Sequence, residues 1–331
     1  MNIIKKNLEV SVLMSAYNSE NFINDAIESV LNQTYKDFEF IIVDDGSTDK
    51  TLSIIKRFKD KRIKLIQNSR NEGLTKSLNI GLEAAEGKYV ARMDADDICN
   101  PDRLFLQINF LKKNPNIGVL GTDITYINET GKKFKSIAKL KNLKTNNIFS
   151  YLVNMQKPKS HNLCVWYLLF KNCFYHPTVM FDKDIVRNSG GYKAKRSEDL
   201  DLWIRLFNKT NFANLKTSLL YHRIHSNQSS LERSSKEFDE RIEARQRIFS
   251  FIFEENVNLD LIKLLSLRSE KSNEQSKFSL DYLDKTYLKF TTKYSLSFVE
   301  KWEIRIDYIR LSSIISNDFS CPLEFLFILA T

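Results

Sequence analysis

The feature that most constrains this chain is an unbroken alternation of strand-like and helix-like segments from Val10 to Tyr126. Val10 to Met14 suits a buried strand. Phe22, Ile23, Ala26, Ile27, Val30 and Leu31 then recur at helical spacing, with Asn24, Asp25, Glu28 and Ser29 on the opposite face. The unit repeats with a strand at Phe38–Val43 and a helix containing Leu52, Ile55 and Phe58, for which Ser47 and Asp49 supply capping chemistry. Further strands follow at Ile63–Ile66, Tyr89–Met93 and Gly118–Tyr126, separated by helices at Leu74–Ala85 and after Pro101, where Leu104, Ile108 and Leu111 share a face. Strands separated by helices return to the sheet in the same direction. The pattern predicts an α/β fold with a mainly parallel, Rossmann-like sheet flanked by helices on both faces.

Beyond this run the pattern loosens. Lys132 to Lys171 shows no periodicity and reads as a mobile or substrate-adapted insertion. Order returns at Tyr175, then at a helix over Leu200–Phe207 with Leu202, Trp203 and Leu206 apolar, and at a strand over Leu215–Tyr221. After the polar stretch Ser226–Lys236 a charged helix spans Phe238–Phe253, and the remainder is expected to be helical. At 331 residues the chain exceeds the usual single core. We expect a catalytic domain over 1–235 and a helical C-terminal extension over 236–331.

Hydrophobic residues at 42% and charged residues at 27% exclude intrinsic disorder. Fifty Lys and Arg against 41 Asp and Glu give +9, which favours an anionic partner. The basic excess is densest from Lys132 to Lys159, where Lys133, Lys135, Lys139, Lys141 and Lys144 recur; a solvated face or a membrane-facing patch would both look like this. No nucleic-acid recognition motif accompanies it, so nucleic acid is not an expected partner. Cys99, Cys164, Cys173 and Cys321 show neither CxxC nor zinc-ligand spacing and read as reduced cytoplasmic thiols. No secretory signal precedes Val10, and the apolar runs Trp166–Phe170 and Leu323–Ala330 are too short to span a bilayer; core packing explains them better than membrane insertion.

Ligands of an open parallel sheet bind outside the carboxyl ends of its strands. Here those ends carry Ser15, Ala16, Tyr17 and Asn18, then Asp44 and Asp45, then Asp94, Ala95, Asp96 and Asp97. A group of carboxylates repels phosphate unless a divalent cation lies between them. Mg²⁺ or Mn²⁺ prefers a few carboxylate oxygens together with substrate phosphates, so the Asp-x-Asp spacing points to a nucleoside diphosphate held through a metal. Each motif alone has a structural explanation. Asp-Asp-Gly-Ser is equally good turn sequence, and Asp94–Asp97 also suits a solvated turn.

Taken together the motifs carry a family resemblance. Val10 to Asn18, Gln33-Thr34, Val43-Asp-Asp-Gly-Ser-Thr-Asp49, Ala91-Arg-Met-Asp-Ala-Asp-Asp97 and Pro101-Asp-Arg-Leu104 resemble family 2 glycosyltransferases of the GT-A fold. The resemblance continues through His176-Pro177, Gly190-Gly191-Tyr192, Glu198 to Arg205 and Tyr221 to His225. It implies an inverting, metal-dependent enzyme that moves a sugar from a nucleotide donor, expected to be a UDP-sugar, to a lipid-linked or polysaccharide acceptor. It further implies nucleotide contacts at Ser15, Tyr17, Asp45 and Asp94, metal binding by Asp96 with His225 facing the ion, and a catalytic base at Asp199 with Glu198 placing the acceptor. Relatives act at the cytoplasmic face of the inner membrane, which makes peripheral docking an expectation.

The residues agree chemically, since inversion needs one base opposite the leaving diphosphate. Glu198, Asp199 and Asp201 equally favour a helix N-terminus. Trp203 reads as core, Arg205 as the partner of a nearby carboxylate, and His176 as more structural than catalytic, whereas His161 and His222 carry no assignment. A haloacid dehalogenase phosphatase is disfavoured because Asp94-Ala-Asp96 lies on the fourth strand and Ile98 follows it. A sugar-nucleotide pyrophosphorylase would need a Gly-rich N-terminal loop. The non-enzymatic rival is an inactive glycan-binding or scaffolding subunit of the same fold.

Overall fold

A computed structural model describes residues 8–134, 157–226, 228, 235–266 and 273–316. Strand β1 (Val10–Ala16) pairs in parallel with β2 (Phe38–Asp44) and with β4 (Tyr89–Asp94), and β2 pairs in parallel with β3 (Ile63–Gln67). The crossovers are helices α1 (Ile23–Leu31), α2 (Thr51–Ile55) and α3 (Leu74–Ala84). A two-residue β5 (Ile98–Cys99), α4 (Arg103–Lys113) and β6 (Ile117–Ile127) follow, then α5 (His161–Phe170), β7 (Met180–Asp182), α6 (Lys183–Asn188), α7 (Glu198–Leu206) and β8 (Asn211–Arg223). The strands form one sheet in the order β3-β2-β1-β4-β7-β6-β8-β5. The nucleotide-type half is parallel, as the sequence predicts. Antiparallel β7 then joins it to the parallel β6–β8 pair, so the complete sheet is mixed.

Two apolar layers enclose the sheet. Ile23, Ile27 and Val30 of α1 and Leu104, Ile108 and Leu111 of α4 meet Val12, Met14, Phe40 and Ile42 on one face. Leu78 and Leu82 of α3 meet Leu13, Ile41 and Val43 on the other. The strand period of two therefore sends Ser15, Arg92 and Asp94 toward the α3 face, in line with Leu13 and Val90. Motif residues outside the cleft hold the frame. Gln33 donates to the Ser29 and Asn100 carbonyls and accepts from Leu104 N–H, while the buried Arg103 guanidinium donates to the Arg92 carbonyl at 2.6 Å.

Two expectations need correction. Helix α2 ends at Ile55, before Phe58, and Ser47 does not cap it; Ser47 Oγ accepts Asn18 N–H, while Asp49 accepts Thr51 N–H. More importantly, the end of the supposed insertion is α5, and Leu163 through Leu169 are all buried. A helix enclosed on every side has no polar face, so the amphipathic period that marks a surface helix is missing. Residues 135–156 of that stretch, with Lys135, Lys139, Lys141 and Lys144, lie outside the described residues, as do Cys321 and Leu323–Ala330.

Helices α8 (Ser235–Phe253), α9 (Leu259–Ser266), α10 (Asn273–Lys293) and α11 (Phe298–Ser316) cover α5 and α7. Ile248 and Phe249 of α8, Phe290 of α10 and Ile304 of α11 belong to the same apolar layer as Trp166 and Trp203. Among the described residues, Cys99, Cys164 and Cys173 are free thiols and no helix is long and apolar enough to cross a membrane.

Candidate active site

The carboxyl ends of β1, β2 and β4 open on the α3 side. Ser15 stands in register between Val43 and Asp94, and Tyr17 beyond it leaves 44% of its surface exposed. Asp45 is nearly covered. Its Oδ1 accepts Asn68 Nδ2 at 2.7 Å and Glu72 N–H at 3.0 Å, and its Oδ2 accepts Gly73 N–H at 2.8 Å. Asp45 is thus the anchor of the loop before α3, with three of its roughly four acceptor positions taken. Gly46 next to it has φ +69°, and a Cβ there would meet the Arg70 carbonyl carbon at 2.4 Å, so only glycine fits this close passage.

Asp94, Asp96 and Asp97 bring carboxylate oxygens within 4.8 Å of one another. They are not equivalent. Asp97 is buried and engaged: its Oδ1 accepts Arg223 N–H at 2.9 Å and its carboxylate pairs with His222. Burial opposes charge on that imidazole, but Asp97 outweighs it and raises His222 to about 9. Asp94 pairs with Arg92, and Asp96 Oδ2 lies 3.0 Å from His225 Nε2; both aspartates keep over a quarter of the side chain exposed. Desolvation raises Asp94 together with the charges of its two acidic neighbours, whereas the His225 hydrogen bond and the nearby His222 offset desolvation and lower Asp96. Of the two partly exposed carboxylates, Asp96 is thus the one whose surroundings favour its charged form. Carboxylate oxygens, with phosphate oxygens completing the set, are donor chemistry that suits Mn²⁺ or Mg²⁺, whereas an imidazole nitrogen is a softer ligand than Mg²⁺ prefers.

One buried arginine fixes this turn. Arg223 donates to the Asp96 carbonyl, the Glu129 carbonyl and Asp25 Oδ2, and its guanidinium carbon sits 4.8 Å from the Phe22 ring centre. Phe22 in turn packs against His225 at 4.6 Å.

Across the cleft, α7 begins with Glu198 and Asp199. Asp199 is partly exposed; its Oδ1 accepts Leu200 N–H and its Oδ2 accepts Asn172 Nδ2. Glu198 is buried, which raises its carboxyl, and Oε1 lies 3.4 Å from His176 Nδ1. His176 Nε2 is 3.2 Å from the Tyr192 hydroxyl. Burial, reinforced by the Arg92 charge, lowers His176 to about 3, so it stays neutral. The same imidazole senses Arg92, Asp94 and Asp199, which places the two halves of the cleft within electrostatic reach of each other. Trp203 is core and Arg205 pairs with Asp201, as expected; Arg205 also donates to the carbonyls of Ser189 and Gly191, holding the turn in which Gly190 and Gly191 adopt positive φ.

Sequence reasoning placed Asp97 at the acidic strand end without a role of its own, and missed Arg92, His222 and Arg223 as parts of the cleft. A signal existed for Arg92, since a charge between Ala91 and Met93 in a buried strand needs a partner. His161, far from this cleft, accepts Phe212 N–H.

An open α/β sheet with an acidic turn at β4 and a carboxylate pair facing it defines a GT-A-type transferase. The model of glycosyl transferase family 2 matches residues 11–172. An uncharacterized glycosyltransferase of Haemophilus influenzae is 33% identical over 302 residues, covering 88% of this chain and 90% of its own length. The O-antigen biosynthesis glycosyltransferase WbnJ of Escherichia coli is 34% identical over 66% of this chain and 80% of its own. Among solved structures, a fragment of S. aureus TarS in complex with UDP-GlcNAc superposes with a TM-score of 0.59 at 18% identity, covering 94% of this chain and 91% of that one. The chain belongs to the family 2 glycosyltransferases, and it is an enzyme of that class.

Proposed function

We propose that this glycosyltransferase moves a sugar from a nucleoside diphosphate donor, a UDP-sugar, onto a hydroxyl of a lipid-linked or polysaccharide acceptor, with inversion and with Mn²⁺ or Mg²⁺ bound. The observation that carries this reading is the pairing of two unlike carboxylate groups across one cleft. Asp94 and Asp96 are the partly exposed members of the acidic cluster, with His225 3.0 Å from Asp96, and in the second group Asp199 is the one partly exposed carboxylate of the Glu198–Asp199 pair. The UDP-GlcNAc bound by the TarS fragment and the O-antigen role of WbnJ support the choice of donor and acceptor class.

In this reading the exposed Tyr17 ring stacks on the base, Ser15 and Asp45 hydrogen-bond the nucleoside, and Asp94 reaches the ribose. Asp96 and His225 would hold the metal, which when bound would supply positive charge against the departing diphosphate. Asp199 takes the proton of the acceptor hydroxyl as that oxygen attacks from the face opposite the diphosphate. One displacement by one base inverts the anomeric centre. Glu198, whose carboxyl is raised by burial, orients the acceptor.

A thermal-shift series with UDP, GDP, CDP and dTDP, each with and without Mn²⁺, tests the donor half. UDP should stabilise the protein only with Mn²⁺, and Asp96→Ala should abolish that shift. No response to any nucleotide would favour the inactive scaffold instead. Peripheral docking is tested separately: the protein should float with anionic vesicles at low salt, and a protein that stays wholly in the soluble fraction removes docking from the proposal.

A further inference from the structure

We infer that Asn172 is a positioning residue for Asp199, and that the last helix sets it through the ion pair of Lys171 with Asp307. This rests on the reading of Asp199 as the base. Asp199 Oδ2 accepts Asn172 Nδ2 at 2.5 Å, and Asp199 Oδ1 accepts the Leu200 N–H at 2.6 Å. A carboxylate gripped at both oxygens has one orientation. The donor cannot turn round, because Asn172 Oδ1 accepts Phe174 N–H at 3.1 Å. Flipping the amide would set N–H against N–H and oxygen against carboxylate.

Asn172 is itself fixed from two directions. Its carbonyl accepts Lys157 Nζ at 2.8 Å, and that ammonium lies 4.3 Å from the Tyr175 ring centre. The preceding Lys171 Nζ donates to Asp307 Oδ1 at 2.6 Å, and Asp307 Oδ2 accepts Trp166 Nε1 at 3.0 Å. Asp307 belongs to α11 and is 2% exposed; Trp166 belongs to α5 and is fully enclosed. Asp307 and Trp166, at the far end of this run of contacts, are enclosed, whereas Asn172 and Asp199 are both partly exposed. That division suits a base which must meet a substrate and must not wander. The extension thereby gains a role in the site, since Asp307 holds Lys171 and the next residue, Asn172, holds Asp199.

The test is turnover of the UDP-sugar selected from a panel, read as UDP release with Mn²⁺ and water as the acceptor. Misplacing a reacting group by about 1 Å costs on the order of 100-fold. Asn172→Ala should lower kcat by about 10- to 100-fold, with the donor KM unchanged. Asn172→Asp keeps an acceptor for Phe174 N–H but faces Asp199 with a like charge, so it should lose at least as much and serves where the alanine variant fails to fold. Adding Asn172→Ala to Asp199→Asn should cost nothing further. Asp307→Asn should lower kcat per folded molecule with the donor KM unchanged. If Asp199→Asn is inactive while both Asn172 variants keep wild-type kcat, or if their loss persists in the Asp199→Asn background, the positioning role is wrong. Unchanged kcat in Asp307→Asn removes α11 from it. If Asp199→Asn keeps wild-type turnover, or the wild type releases UDP from no donor, the proposed function itself fails.

Discussion

At the scale of single residues the cleft is a set of buried charges that hold one another in place. Arg92 is 3% exposed and pairs with Asp94. Removing Arg92 leaves a carboxylate that is only partly reached by solvent, so Arg92→Met should destabilise the fold by about 1–3 kcal/mol, seen as a lower urea midpoint. Arg92→Lys keeps the charge and should lose less. His176 gives a pH signature. Its folded-state value of about 3 lies below the ordinary imidazole range, so between pH 3 and 6.5 the unfolded chain binds the extra proton. Stability therefore falls as pH drops through that window, by up to about 1.4 kcal/mol per pH unit. Urea melts from pH 7 to 4 should show a shallower decline in His176→Gln; parallel declines would mean that His176 does not contribute. The acidic members of the site were legible because carboxylates at strand ends stand out against apolar strands. Their basic partners were not, because Arg223 and His222 reach Asp96 and Asp97 from a strand more than 120 residues away.

At the scale of elements, the helices that were readable are those with one wet face. Helix α1 buries Ile23, Ala26, Ile27 and Val30 and leaves the rest to solvent, so its period is visible. Helix α5 hid because its neighbours surround it, and a run without a polar face suits a strand, a loop or a buried helix equally well. Trp166→Ala at its centre should cost about 3–5 kcal/mol and lower the thermal midpoint sharply. A small effect would mean that the layer can collapse around the gap. The β2–α2 turn makes a second prediction. Gly46→Ala adds a Cβ where φ is +69° and the Arg70 backbone is already in contact. It should cost about 1–3 kcal/mol and weaken UDP binding, because the same turn carries Asp45.

At the scale of the molecule, the sheet divides into a half that sequence alone reveals and a half that it does not. The β1–β4 half is made by local crossovers, each announced by its own period. The other half depends on β7 running against β4 and β6, and on β6 meeting β8 from a distant part of the chain, which no local pattern records. The boundary proposed at residue 235 also cuts through a shared layer, since Ile248, Phe249 and Ile304 pack with Trp166 and Trp203. A chain ending at residue 235 should expose that layer and bind a dye for apolar surface, whereas a compact, cooperatively melting fragment would show the first domain to be self-sufficient. The long reach from Lys171 to Asp307 bears on how the enzyme is born. The two residues are 136 positions apart. At about 5–20 residues per second, the ribosome delivers Asp307 roughly 7–27 seconds after Lys171. The pocket at β1, β2 and β4 can form early in that interval, but the seat of Asp199 is finished only when α11 arrives, so the emerging polypeptide would hold a nucleotide before it could spend the sugar attached to it.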